Sequence, residues 1–179
     1  AACALFQTDT LALNYPDASV TALGNSKKTE NEVLVIWGGS SSVGCNAIQL
    51  ATAAGYDVLT TASPKNFEFV ISLGATQVFD YRSKTVITDI LKALEGKKSV
   101  GAIAIGNGST EACMEILSKT SGSKFIAQIS FPWPEKIPTT TLALFGAMMG
   151  LLWWNLSIFI TSRLKGVTAK FVFGSSLYN

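Results

Sequence analysis

Histidine is absent from all 179 residues, and that one absence removes two kinds of site. A Ser/His/Asp triad has no base within this chain, and a zinc site of the Cys/His kind lacks one of its usual ligands. Cysteine does not make up the loss. Cys3, Cys45 and Cys113 are odd in number, far apart and in no CxxC pair, so neither a disulfide framework nor a metal set is expected, and a reducing cytoplasm suits them. Charge is scarce as well, at 15% of residues with a net +2. No block of like charges follows the chain as a phosphate backbone would require, which excludes nucleic acid as a partner. Low-complexity tracts and internal repeats are missing too.

What is present is apolar: 48% of residues are hydrophobic, enough for one sizeable core. The chain opens on Ala1-Ala2-Cys3-Ala4-Leu5-Phe6-Gln7 without Met and without the charged front of a signal peptide. It reads as a helix entered midway. Residues 1–32 are expected to be a helix and an exposed connection leading from a missing catalytic domain, with Asn14, Pro16, Asp17, Gly24, Asn25 and the run Lys27-Lys28-Thr29-Glu30 marking the connection.

From Val33 onward, short apolar runs alternate with amphipathic stretches, and Gly, Ser, Pro or Asp marks each boundary. Strands are expected at Val33–Trp37, Val58–Ala62, Thr76–Phe79, Val100–Ile105 and Lys124–Ile129, with a last one over Val167–Gly174. Helices are expected at Ser42–Ala54, Pro64–Leu73, Thr85–Leu94 and Ser109–Lys119. Ser63 before Pro64 is an N-cap followed by a first-turn proline, and Gly55 and Gly74 follow helices. Strand and helix taking turns at this spacing predict an α/β, Rossmann-type doubly wound parallel sheet over 33–179.

The sharpest motif is Val33-Leu34-Val35-Ile36-Trp37-Gly38-Gly39-Ser40-Ser41-Ser42-Val43-Gly44, a buried strand running through a Gly/Ser turn into a helix. Small residues let backbone N–H groups approach a pyrophosphate, the helix start adds about half a positive charge, and Gly44 lets helix and strand pack closely. Ser41 stands where the GxGxxG pattern has its central glycine; by itself the motif also fits an ordinary Gly/Ser turn.

A fold specific for NAD carries an acid at the end of the second strand, about 20 residues on, for the ribose hydroxyls. Here that place reads Thr61-Ala62-Ser63-Pro64-Lys65-Asn66, with a hydroxyl and a cation instead. A 2′-phosphate is thereby favoured, and NADP(H) is the expected cofactor. Asp57 precedes the second strand and is expected to face away. Lys65 and Tyr81 also have a plain reading as solvated surface residues, and so does Arg82. Cys45, in the first turn of a helix, reads chiefly as a packed small side chain.

The runs Gly38–Gly44, Ser63-Pro64-Lys65-Asn66-Phe67, Leu73-Gly74-Ala75 and Phe79-Asp80-Tyr81-Arg82 are similar to those of fungal trans-acting enoyl reductases and related quinone reductases. The resemblance covers roughly Leu34 to Phe131. It implies a zinc-independent member of the medium-chain dehydrogenase/reductase superfamily, with Tyr81 against the adenosine 2′-phosphate end of NADPH. It also implies a nicotinamide side lined by Ile105, Gly106, Gln128 and Ile129. Where the family often has an Asp in the fourth strand, this chain reads Gly101-Ala102-Ile103-Ala104-Ile105-Gly106. The cofactor-binding set is therefore Gly38, Gly39, Ser40, Ser41, Ser42, Val43, Gly44, Ser63, Lys65, Asn66, Tyr81, Ile105, Gly106, Gln128 and Ile129, with no catalytic residue named. The function expected is an NADPH-dependent oxidoreductase acting on an activated C=C or C=O bond of a small-molecule substrate. A non-catalytic NADPH-binding or assembly module remains the alternative.

Residues 139–165 are an apolar helical insertion before the last strand, and Leu142–Ile160 holds no charge over a length that could span a bilayer. The central Trp153-Trp154 pair and Asn155 speak against spanning, while Arg163 and Lys165 suit a membrane boundary. A buried or interface helix, a membrane contact and a gene-structure error all stay open. A homodimer joined at the edge of the last strand is expected, with the Lys170 N–H bonded across it.

Overall fold

The computed structural model describes residues 1–16, 31–130 and 140–172. Six parallel strands form one sheet: β1 Glu32–Trp37, β2 Asp57–Ala62, β3 Gln77–Asp80, β4 Lys98–Ala104, β5 Phe125–Gln128 and β6 Thr168–Phe171. Their order is β3-β2-β1-β4-β5-β6, the doubly wound Rossmann arrangement, in which direction reverses between β1 and β4. The helices are α1 Ala2–Phe6, α2 Ser42–Ala53, α3 Phe67–Ser72, α4 Val86–Ala93, α5 Ser109–Ser118 and α6 Thr141–Lys165.

Strand periodicity explains why both faces are dry. In β1, Leu34 and Ile36 enter one cluster with Ala47, Ile48 and Ala51 of α2, while Val33 and Val35 enter the other with Ile90 of α4 and Met114 and Leu117 of α5. The near-continuous apolar strands of the sequence are thus those of a sheet covered on both sides.

Expected and observed elements differ at instructive places. The stretch Pro64–Leu73 divides into a 3₁₀ turn at Pro64–Asn66 and the α-helix from Phe67. The N-terminal segment packs into the α2 face of the sheet: Ala4, Leu5 and Phe6, with Leu11 and Leu13, share the cluster of Leu34 and Ile36. Of the supposed connection, Asn14 and Tyr15 are exposed, and Asp17, Gly24, Asn25 and Lys27–Glu30 lie outside the described residues, as does Gly174.

β6 is an edge strand, as expected, yet its Lys170 is misassigned. The N–H groups of Thr168 and Val172 are donated to Lys124 O and Gln128 O, and the period-two geometry of a strand turns the Lys170 N–H inward to β5 as well. The outward edge is presented by Ala169. The Lys170 ammonium instead pairs with the Asp9 carboxylate at 2.5 Å, fastening β6 to the N-terminal segment.

A candidate dinucleotide site at the reversal of strand order

The carboxyl ends of β1, β2 and β4 surround a cavity of about 340 Å³ lined by Trp37, Gly38, Ser40, Thr61, Ala62, Tyr81, Ile105, Gly106 and Asn107. It opens where the strand order reverses, which is where a doubly wound sheet leaves a crevice between loops that run in opposite directions. A larger groove of about 570 Å³ lies between the end of α6 and the start of β6, at the other end of the sheet, where Gly166 caps the carboxyl end of α6, the negative end of the helix dipole.

The turn after β1 is built by close approach. Gly38 sits at φ +90°, and a Cβ there would meet Ile105 O at 2.9 Å, so a side chain is both strained and obstructed. At Gly44 a Cβ would run into Gly38 O and come within 2.8 Å of Gly39 Cα, which is the tight helix–strand contact expected of it.

Ser41, in the place of the missing central glycine, is the N-cap of α2. Its hydroxyl accepts from Gly44 N at 3.1 Å and donates to Gly38 O at 2.7 Å, closing the turn on itself. The cap uses one of the orphan amides at the helix start. No hydrogen bond within the described residues takes up the N–H groups of Ser42 and Val43. Those amides and the helix dipole form a place for an anion.

The brace for this turn comes from β2 and was missed in the sequence. Gly38 N donates to Thr61 Oγ1 at 3.0 Å and Gly39 N to Thr61 O at 2.9 Å, while Thr60 Oγ1 donates to Ile36 O at 2.8 Å. Both threonines are fully buried. Two adjacent hydroxyls at the end of an otherwise apolar strand were the signal.

At the expected adenosine corner, Tyr81 lines the cavity, while Ser63, Lys65 and Asn66 stand on the adjoining turn outside its lining. Asn66 Nδ2 donates to Ser63 Oγ at 3.2 Å, and Lys65 is exposed. Arg82 lies over the Tyr81 ring at 5.2 Å and its Nε donates to the Tyr81 hydroxyl at 3.1 Å. Asp57 is the first residue of β2, far from the carboxyl ends. The acid near the corner is Asp80, opposite Ala62 in the β2–β3 register, and its carboxylate accepts the Arg82 N–H at 3.0 Å.

On the other side, Ile105 and Gly106 line the cavity, and Gly106 N donates to Ser130 Oγ at 2.5 Å. Gln128 and Ile129 do not line it. Gln128 is buried with its amide donating to Thr110 Oγ1 at 3.0 Å, and Ile129 N donates to Ala104 O at 3.0 Å. Asn107, unassigned from the sequence, completes the wall.

The chain matches the family model described as zinc-binding dehydrogenase over residues 42–158. It is 45% identical over 177 residues to the dehydrogenase pigH of Monascus ruber, covering 99% of this chain and 46% of that protein. It is also 41% identical to the trans-enoyl reductase himH of Aspergillus japonicus over 122 residues, 67% of this chain and 34% of that protein. Among solved structures, the quinone oxidoreductase of Pseudomonas syringae shares the fold at a TM-score of 0.57 with 18% identity, over 88% of this chain and 44% of that one. The Escherichia coli quinone oxidoreductase complexed with NADPH does so at 0.54 with 16% identity, over 82% and 40%. The chain belongs to the zinc-binding dehydrogenase family, within the medium-chain dehydrogenase/reductase superfamily of oxidoreductases, and is of its zinc-independent reductase type. It spans about half the length of the Monascus relative, 46%.

The metal in the family's name does not fit the donors in this chain. Among the described residues no three of His, Cys, Asp or Glu stand together, and Cys113 is deeply buried with its thiol pushed up to about 12 by burial and by the nearby Glu111 carboxylate. A thiol held that strongly in its protonated form is a poor zinc ligand.

Proposed function

We infer that this chain is the nucleotide-binding domain of an NADPH-dependent oxidoreductase that reduces an activated C=C or C=O bond of a small-molecule substrate in the cytoplasm. The observation carrying this reading is the Thr61-braced turn, whose Gly38 and Ser40 line a cavity at the strand reversal and which leads into the start of α2 with the Ser42 and Val43 amides unused among the described residues. The β2 end beside that cavity has no carboxylate, only Ala62, Ser63 and Lys65. The trans-enoyl reductase relative and the NADPH complex among the fold's neighbours support the same reading.

In this assignment the pyrophosphate lies against the Gly38–Gly44 turn, with the Ser40 and Ser42 hydroxyls beside the amides. Ser63, Lys65, Asn66 and Tyr81 receive the adenosine end, and Lys65 supplies charge for a 2′-phosphate. Ile105 and Gly106 form the wall for the nicotinamide. Gln128 and Ile129 shape that wall from behind, since the Gln128 amide is committed to Thr110. The bound nicotinamide would supply the hydride; the chain's part is to bind, orient and exclude water. Two copies joining at the outward edge of β6 form the expected dimer.

Calorimetric titration with NADPH and NADH tests the binding, and a steady-state assay of the intact protein with enone substrates tests the reaction. The expected result is tighter NADPH binding and substrate-dependent NADPH oxidation. Equal affinities would overturn the 2′-phosphate assignment, and binding without turnover would leave a cofactor-sensing module.

A further inference from the structure

The helix α6 has no counterpart in the nucleotide site, and the inference from it is independent of that site. It is 25 residues long, about 37 Å. One stripe seats it: Ile158 is buried against the α5 face, and Trp154 Nε1 donates to Glu111 Oε1 at 2.7 Å. Elsewhere it is bare. Only 6% of its most apolar 18-residue window is buried, which separates it from the core helix of a globular domain.

At 100° per residue, the exposed apolar side chains run from Leu144 round to Leu164 over an arc of roughly 200°, about twice the stripe that seats a helix in a protein groove. Leu152, Trp153, Leu156 and Phe159 lie inside that arc, with exposures between 50% and 74%. No acidic residue occurs between Thr141 and Lys165. Arg163 falls within the same arc, and its guanidinium packs over the Phe159 ring at 5.4 Å without an acid partner among the described residues.

The fold excludes a crossing. α6 joins β5 to β6, and these two strands pair directly, Phe125 opposite Thr168 and Gln128 opposite Phe171. A spanning helix would leave its ends on opposite sides of about 30 Å of hydrocarbon. Neighbouring strands of one water-exposed sheet cannot be held on both sides at once, so the pairing of β5 with β6 is incompatible with a spanning α6.

We propose that the outer face of α6 lies in the plane of a membrane and docks this domain on an anionic lipid surface. The apolar arc enters the boundary between headgroups and acyl chains, Trp153 and Phe159 sit at the level aromatic rings prefer, and Arg163 reaches back to a lipid phosphate. The breadth of the arc, its lack of acids and the one unpaired cation within it favour lipid over a protein partner.

Vesicle flotation of the intact protein is the test, with phosphatidylcholine vesicles containing or lacking roughly one-third phosphatidylserine. The protein is expected to float with both and more with the anionic ones. Brominated acyl chains should quench tryptophan emission, and Trp153→Phe should remove most of that quenching. The pair Leu152→Glu with Leu156→Glu should lower binding more than about tenfold, with circular dichroism unchanged because both side chains already face solvent. Arg163→Gln, a milder change, should abolish only the anionic preference. Protein that stays at the bottom with both compositions overturns the proposal, as does flotation unaffected by the glutamates. So does a dimer in light scattering that the glutamates convert to monomer without any lipid binding, which would give the face to a second copy of the chain.

Discussion

The Thr61 hydroxyl accepts the Gly38 amide at 3.0 Å, so the second strand holds the first turn of the nucleotide site in place. Thr61 is fully buried, and its replacement by valine keeps the shape while leaving that amide without its acceptor. Thr61→Val is expected to cost about 1–3 kcal/mol in urea unfolding and to weaken NADPH binding in calorimetry. Thr61→Ser should restore both, and a valine variant that binds like the wild type would show that the brace does not position the turn.

Close approach makes a second contrast. Gly44→Ala drives a methyl group into Gly38 O, so about 1–3 kcal/mol of overpacking is expected, together with loss of NADPH binding by more than tenfold (about 1.4 kcal/mol). Gly146→Ala adds the same methyl group in α6 with nothing within 4 Å, and should leave binding unchanged while favouring the helix by up to about 1 kcal/mol. Thermal melts and titrations of the two variants read the contrast directly.

The parts of this fold that were legible in the sequence are those set by local rules. The strand–turn–helix from Val33 to Gly44 reads clearly because a buried parallel strand is apolar throughout and its turn must be small. The Thr61 brace was not legible, because its meaning depends on β2 lying beside β1. The same holds for Gln128, whose amide turns to Thr110 of α5, and for Lys170, whose backbone direction is decided by which neighbour strand it meets. Asp80 approaches the adenosine corner only through its register with Ala62. Apolar content flagged 142–160, but which side of that helix is covered follows from where α5 packs.

Cofactor preference separates two cations. Lys65 is exposed on the turn after β2, whereas Arg82 is stacked on Tyr81 at the cavity wall. Lys65→Ala is expected to lower affinity for NADPH by about tenfold, close to the worth of one charge-assisted contact, and to leave NADH unchanged. Arg82→Ala should have the smaller effect, transmitted through the freed Tyr81 ring. A larger loss at Arg82 than at Lys65 would move the 2′-phosphate contact to Arg82.

Acid should loosen the N-terminal segment. The Lys170 ammonium holds the exposed Asp9 carboxyl below its ordinary value of 3.8. A carboxyl whose folded value is depressed stabilises the fold above its unfolded value, and that contribution is lost as pH falls through the folded value. Stability should therefore drop more steeply below about pH 4 in the wild type than in Asp9→Asn, and added salt should narrow the difference because the pair is exposed. Urea midpoints at neutral and acid pH give the comparison; parallel curves would mean that the pair contributes nothing.

The cysteines allow a chemical reading of the site. Cys113 is fully buried with its thiol pushed up to about 12, so at pH 8 it is protonated and shielded, and alkylation should not reach it in the folded protein. Cys3 is buried as well. Cys45 is only half-buried in the first turn of α2, its sulfur 3.4 Å from Gly39 O, beside the amides assigned to the pyrophosphate. Iodoacetamide is therefore expected to label Cys45 first, and saturating NADPH to slow that labelling while leaving the buried thiols as they were. Peptide mapping by mass spectrometry distinguishes the three. Labelling of Cys45 at the same rate with and without NADPH would place the cofactor away from this turn, since the sulfur lies against Gly39 O in the turn assigned to the pyrophosphate.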